Sequence, residues 1–203
     1  MTGAAAAAVA GRRGALLLVL LLAACSAGSS STPIGTPTPA ASVSSSTPPN
    51  DLPSEDPALE ALLPDEIGGE ATEKLSMRGD GLVAAGSSDP TFAAFIERLD
   101  ARPEDVGVAY AYTLESEVQA FAYQVAGAAP DRLLDELQAS VQAQDEASDV
   151  TWSDASVGGK DVRVGQAAQS TDASIYLYGS GDVVFIIVTD DAALAAEVAA
   201  GLP

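Results

Sequence analysis

Histidine is absent from the 203 residues of this chain, and that absence limits the chemistry available to it. The commonest general base, the usual zinc ligand and the partner of a nucleophilic serine are all missing. Cys25 is the single cysteine, so no intramolecular disulfide can form. Lys74 and Lys160 are the only lysines, and neither has the Ser-x-x-Lys spacing of a Ser-Lys dyad. Glu115 and Glu117 form a carboxylate pair, but in an expected hairpin turn, where solvated charge is the ordinary role. Asp190-Asp191 lacks the alternating ligands and distal glutamate of a calcium loop and reads as a helix cap. Arg78-Gly79-Asp80 reads as a charged turn. Gly79-Asp80-Gly81 and Gly179-Ser180-Gly181 lack the Lys-Ser/Thr that follows a phosphate loop. The sequence therefore assigns no catalytic residue, no metal ligand and no cofactor. What remains for recognition is aromatic: Tyr110, Tyr112, Tyr123, Trp152, Tyr176 and Tyr178 all fall on expected strands and could line a ligand or partner surface. Core or cross-strand packing is the competing reading of the same six.

The elements that must position these residues follow from periodicity. Leu59, Leu62 and Leu63 have one-turn helical spacing and stop at Pro64, with a turn over 65–69. A strand is expected over 71–77, then a turn over 78–81 leading into a second extended segment over 82–85. Ser88-Asp89-Pro90 begins a helix with Phe92, Phe95, Ile96 and Leu99 on one face. Val106, Val108, Tyr110 and Tyr112 alternate with Gly107, Ala109 and Ala111, and the alternation resumes over 119–125, which predicts a hairpin. Pro130 opens the longest helix, striped by Leu133, Leu134, Leu137 and Val141.

Beyond Asp149 strands dominate. Gly158-Gly159 is a two-residue turn between strands over 150–157 and 160–166, and Gly179 to Asp182 joins two more. Val183 to Val188 is apolar on both faces and is expected in mid-sheet, covered on both sides. Thr189-Asp190-Asp191 caps a last helix carrying Leu194, Val198 and Leu202. The expected class is α+β, a largely antiparallel sheet built from hairpins with helices packed on it. The helix-plus-hairpin spacing occurs more than once, which is compatible with an internal duplication.

The formal charge of −20 repels phosphate backbones and anionic headgroups, so nucleic acid is not an expected partner. All the acidic residues follow position 50, whereas Arg12 and Arg13 precede the apolar run from Ala15 to Leu22. That order is a basic n-region, a short h-region and a small-residue cleavage site. The apolar run falls short of the about 20 residues that span a membrane.

Leu22-Ala23-Ala24-Cys25 resembles the lipobox of bacterial lipoproteins. The resemblance covers only the leader and implies a diacylglycerol on the Cys25 thiol, cleavage before it by a type II signal peptidase, and a lipidated N-terminus. The competing readings are an uncleaved anchor helix and a secretory signal cut after Ala24, which would leave a reactive free thiol. The expected organisation is thus a signal peptide over 1–24, a lipidated cysteine with a Ser/Thr/Pro-rich disordered tether over 25–57, and one acidic α+β domain over 58–203. Such a tether reaches roughly 30 Å as a coil. A domain of about 145 residues buries roughly two-thirds of its unfolded surface, enough to fold without disulfides. The function this implies is a non-catalytic binding or interaction module of the cell envelope, on the extracytoplasmic face of the membrane and attached to it by lipid. Its expected partner is another envelope protein or a small ligand. The alternative is an envelope hydrolase using carboxylates without histidine.

Overall fold

The run from Val183 to Val188 settles the architecture, because a strand apolar on both faces is stable only where both are covered. The computed structural model describes residues 54–84, 90–113, 118–143, 150–167 and 173–203. Among them are nine strands: β1 (Glu66–Ile67), β2 (Glu70–Ala71), β3 (Glu73–Arg78), β4 (Val106–Tyr112), β5 (Gln119–Val125), β6 (Val150–Val157), β7 (Lys160–Ala167), β8 (Ser174–Ser180) and β9 (Val183–Thr189). Seven form one sheet in the order β3-β4-β5-β9-β8-β7-β6, every neighbouring pair antiparallel. β9 is its central strand, and Val183, Val184, Phe185, Ile186 and Ile187 are all buried. β1 and β2 form a small separate ladder.

Helices cover both faces. On one face lie α1 (Pro57–Glu60), the β1–β2 ladder and α5 (Ala192–Gly201), packed on Ala109, Ala111, Ala120, Ala122, Phe185 and Ile187. The alanines of β4 and β5 are cross-strand partners, Ala109 with Ala122 and Ala111 with Ala120, and this floor of small residues leaves room for Leu59 and Leu63. On the other face lie α2 (Gly79–Ala84), α3 (Pro90–Arg98) and α4 (Pro130–Gln142), whose apolar stripes meet Phe121, Tyr123, Leu177, Val184 and Ile186. Arg98 pairs with Glu136 at 2.5 Å and Arg132 with Asp100 at 2.9 Å, joining α3 and its end to α4. Asp191 caps α5 by accepting from Ala193 N at 2.7 Å and Leu194 N at 3.2 Å.

The α+β class, the antiparallel sheet and the mid-sheet position of β9 agree with the sequence expectations. The segment after β3 differs. Where a turn and an extended segment were expected, residues 79–84 form α2. Gly79 packs so close to the Pro103 carbonyl that no Cβ would fit, and Leu82 reaches the core. The outer edge of β3 meets the chain at Ser54 and Glu55, with Glu55 N donating to Ser76 O at 3.2 Å. Ser54 and Glu55, which precede the expected boundary at Ala58, thus already contact the sheet. The second hairpin turn is also tighter than expected, since Ser180 pairs with Val183 and only Gly181-Asp182 remain in the turn. The hairpin-then-helix unit does recur, as β4-β5-α4 and β8-β9-α5. Its two helices return to opposite faces of the sheet, which is not the arrangement that a two-fold repeat about the β5–β9 pair would leave. The expected signal peptide, with Leu22, Ala23, Ala24 and Cys25, the expected tether up to residue 53 and the expected turn carrying Glu115 and Glu117 all lie outside the described residues.

Gly158 and Gly159 both have positive φ, 58° and 80°, but only Gly158 lies under α5, where a Cβ would stand 2.6 Å from Ala200 N. Gly158→Ala is expected to cost about 2–4 kcal/mol, combining left-handed strain and overpacking. Gly159→Ala, with nothing nearby, is expected to cost only about 1–2 kcal/mol. Urea unfolding of both variants checks this; equal losses would contradict the close approach of α5.

Candidate functional site

The six aromatic residues do not make one surface. Tyr176 and Tyr178 face α5, whereas Tyr110, Tyr112, Tyr123 and Trp152 face the opposite side of the sheet. Tyr123, Tyr176 and Tyr178 are buried and belong to the core. Tyr178 stacks on Phe185 with centroids 5.3 Å apart, and Lys160 Nζ stands 5.9 Å from the Tyr178 ring centroid, a cation–π contact at the strand end. Tyr110, Tyr112 and Trp152 are half-buried. Tyr110 stacks between Phe121 and Tyr112, and Tyr112 donates to Glu73 Oε2 at 2.6 Å. These two are committed to cross-strand packing at the β3–β4 side.

The registers put Tyr112 and Trp152 in one row across the sheet: Glu73, Tyr112, Gln119, Val188, Ile175, Gly165, Trp152. Five strand spacings separate them, about 24 Å, so no single small ligand touches both.

The neighbouring row shows where polar groups collect. It runs Leu75, Tyr110, Phe121, Ile186, Leu177, Arg163, Asp154, apolar over five strands and charged over the last two. There the sheet extends past α4, and an open groove of about 560 Å³ lies between α4 and β6–β8. Its wall on the helix is Pro130, Asp131 and Leu134, and its sheet side includes Asp154, Asp161, Arg163 and Leu177. A second recess of about 250 Å³, lined by Gln138, Trp152, Ser153, Asp154 and Arg163, adjoins it through the shared Asp154 and Arg163.

The charge of this groove is negative. Among the described residues Arg163 is its one cation, and its Nη1 donates to Asp135 Oδ1 at 2.6 Å and to Gln138 Oε1 at 2.8 Å. It is thus turned toward α4 rather than across to Asp154. Asp131, Asp154 and Asp161 are exposed and have no ion-pair partner among the described residues. Such a wall favours a cationic guest. Trp152 lines the adjoining recess, its ring lying over Gly165, where a Cβ would stand 2.8 Å from the indole. The indole N–H is buried and meets no acceptor among the described residues.

The other charged motifs are structural. Lys74 donates to the Leu63 carbonyl at 2.7 Å and to Asp65 at 2.6 Å, and this partner holds the Asp65 carboxyl below its ordinary value. Arg78 bonds the Glu104 carbonyl through its side chain and Glu55 through its backbone N–H, so Arg78-Gly79-Asp80 is a strand end entering a helix and not an exposed loop. Among the described residues no group of three or more His, Cys, Asp or Glu is placed to hold a metal ion, and no helix is long and apolar enough to cross a membrane.

Asp154 and Arg163 were within reach of the sequence. A two-residue turn at Gly158-Gly159 fixes the pairing of Val157 with Lys160, hence of Asp154 with Arg163. Nothing in the sequence brought Asp131 to the same groove. Comparison with protein-family models, with curated proteins and with solved structures gives no match to this chain.

Two measurements test the geometry. Burial, then the nearby Tyr112, pushes the Tyr110 phenol up to about 12. The hydrogen bond with Glu73 raises Tyr112, and burial raises Tyr123 and Tyr178. The fold therefore holds these protons more tightly than the unfolded chain does. The stability they contribute is complete below the ordinary tyrosine value near 10 and falls as pH rises through and above it. Absorbance at 295 nm is expected to show these phenols ionising together with unfolding; their smooth ionisation in the folded protein near the ordinary value would contradict this. Separately, Gly165→Ala should force the Trp152 ring outward. A red-shifted emission of this single tryptophan is the expected result, and unchanged emission would place the ring elsewhere.

Proposed function

We propose that this chain is a lipid-anchored, non-catalytic binding module of a bacterial cell envelope, held on the extracytoplasmic face through Cys25. The Leu22-Ala23-Ala24-Cys25 sequence supports the anchor. Support for binding comes chiefly from one observation, the solvent-open acidic groove between α4 and β6–β8, which has the wide mouth of a recognition surface. Catalytic clefts are more often enclosed. A module working from a tether needs an accessible face near one margin of its fold, and the groove supplies it. The acidity keeps the domain away from anionic headgroups while the lipid holds it nearby.

Cys25→Ser tests the anchor. Loss of acyl labelling together with an unprocessed or released protein is expected; unchanged processing and membrane retention would refute it.

A further inference from the structure

The sheet has two margins, and the chain treats them differently. The outer edge of β3 is met by the chain's own residues 54 and 55. The outer edge of β6 has no strand beside it among the described residues. β6 pairs with β7 without interruption from Val150 to Val157, so it carries no bulge, and its sequence contains no proline. Residues 153–156 are exposed. About every second residue of such a strand turns an N–H and a C=O outward, a ready template for another strand.

We propose that β6 and the adjoining acidic groove take an extended basic segment of another protein, added as an eighth strand with Lys or Arg at every second position. This rests on the reading of the chain as a binding module and names its partner's chemistry. Alternate side chains of an added strand point to one face. On the groove face they meet Asp154, Asp161 and Asp131, which have no ion-pair partner among the described residues, and half-buried Trp152 offers apolar surface to a Lys or Arg stem. On the opposite face they pass the exposed Ser153 and Ala155, where small or polar side chains fit. A second copy of this chain is disfavoured, since it would bring its own Asp154 and Asp161 against the same carboxylates. The main-chain bonds supply affinity and the alternation supplies specificity.

The test uses the full chain in detergent micelles and two synthetic peptides of about eight residues. Both contain equal Lys and Thr, one in strict alternation and the other with all Lys first. The alternating peptide is expected to bind, to move the backbone amide resonances of β6, and to bind at least about tenfold more weakly to Asp154→Lys/Asp161→Lys. Reversal at the distant exposed Glu66 and Glu97, which changes net charge equally, should leave its affinity within about twofold. Unchanged amide spectra outside β6 and β7 show that each variant is folded. Absence of binding, equal binding of the two peptides, or equal loss from the two charge reversals would overturn the proposal. If Cys25 remains necessary for retention while the peptide fails, the strand-docking site falls and the anchored module stands. If retention ignores Cys25, the anchored reading falls whatever the peptide does.

Discussion

Double-sided burial of β9 and β5 is the constraint on which the rest of this structure depends. Val183, Phe185 and Ile187 need apolar cover on one face, Val184 and Ile186 on the other, and β5 repeats the division with Ala120 and Ala122 against Phe121 and Tyr123. A fully buried side chain of this size contributes about 1.5–3 kcal/mol, so neither face can be left open without losing much of the marginal stability of a domain. The helices are distributed accordingly, α1 and α5 on one side and α2 to α4 on the other. The bulky aromatic residues, which on a one-sided sheet could have formed a binding face, are largely drawn into packing.

That constraint also moves the polar chemistry outward. Across the row from Leu75 to Asp154, charge appears only on β7 and β6, the strands farthest from the centre on that side. Arg163 is held there by Asp135 and Gln138, two bonds that tie β7 to α4 and engage the one cation lining the groove among the described residues. The remaining carboxylates give the groove its sign. The two edges of the sheet differ for a related reason, since the entering chain lies along β3 and none of the described segments returns to β6.

Much of this was legible in the sequence because it depends on local pattern. The two-faced apolar run gave β9 its place, the leucine stripe gave α4, and Gly158-Gly159 gave a hairpin in register. Residues 79–84 were misread because a short run containing two glycines carries no reliable period; its helix is stabilised by tertiary contacts, Leu82 in the core and Gly79 against Pro103. The aromatic residues were legible as strand residues and not as a site. Alternation tells which side chains share a face within one strand, but it takes the order of strands to know that Tyr112 and Trp152 stand toward opposite edges of one face and that Tyr176 and Tyr178 lie on the other face. The groove was the least legible feature. It joins Asp131, in the first turn of α4, to Asp154 and Asp161 of a distant hairpin.

Stability is concentrated in the doubly covered middle of the sheet, while among the described residues no strand pairs with the outer edge of β6. Residue-resolved amide hydrogen exchange of the free, full-length protein tests it most directly. Amides of β5 and β9 should exchange only through global unfolding, and alternate amides along β6, those turned away from β7, should exchange orders of magnitude faster. Protection of every β6 amide to the level of β9 would contradict the account, because it would mean that this edge is already covered.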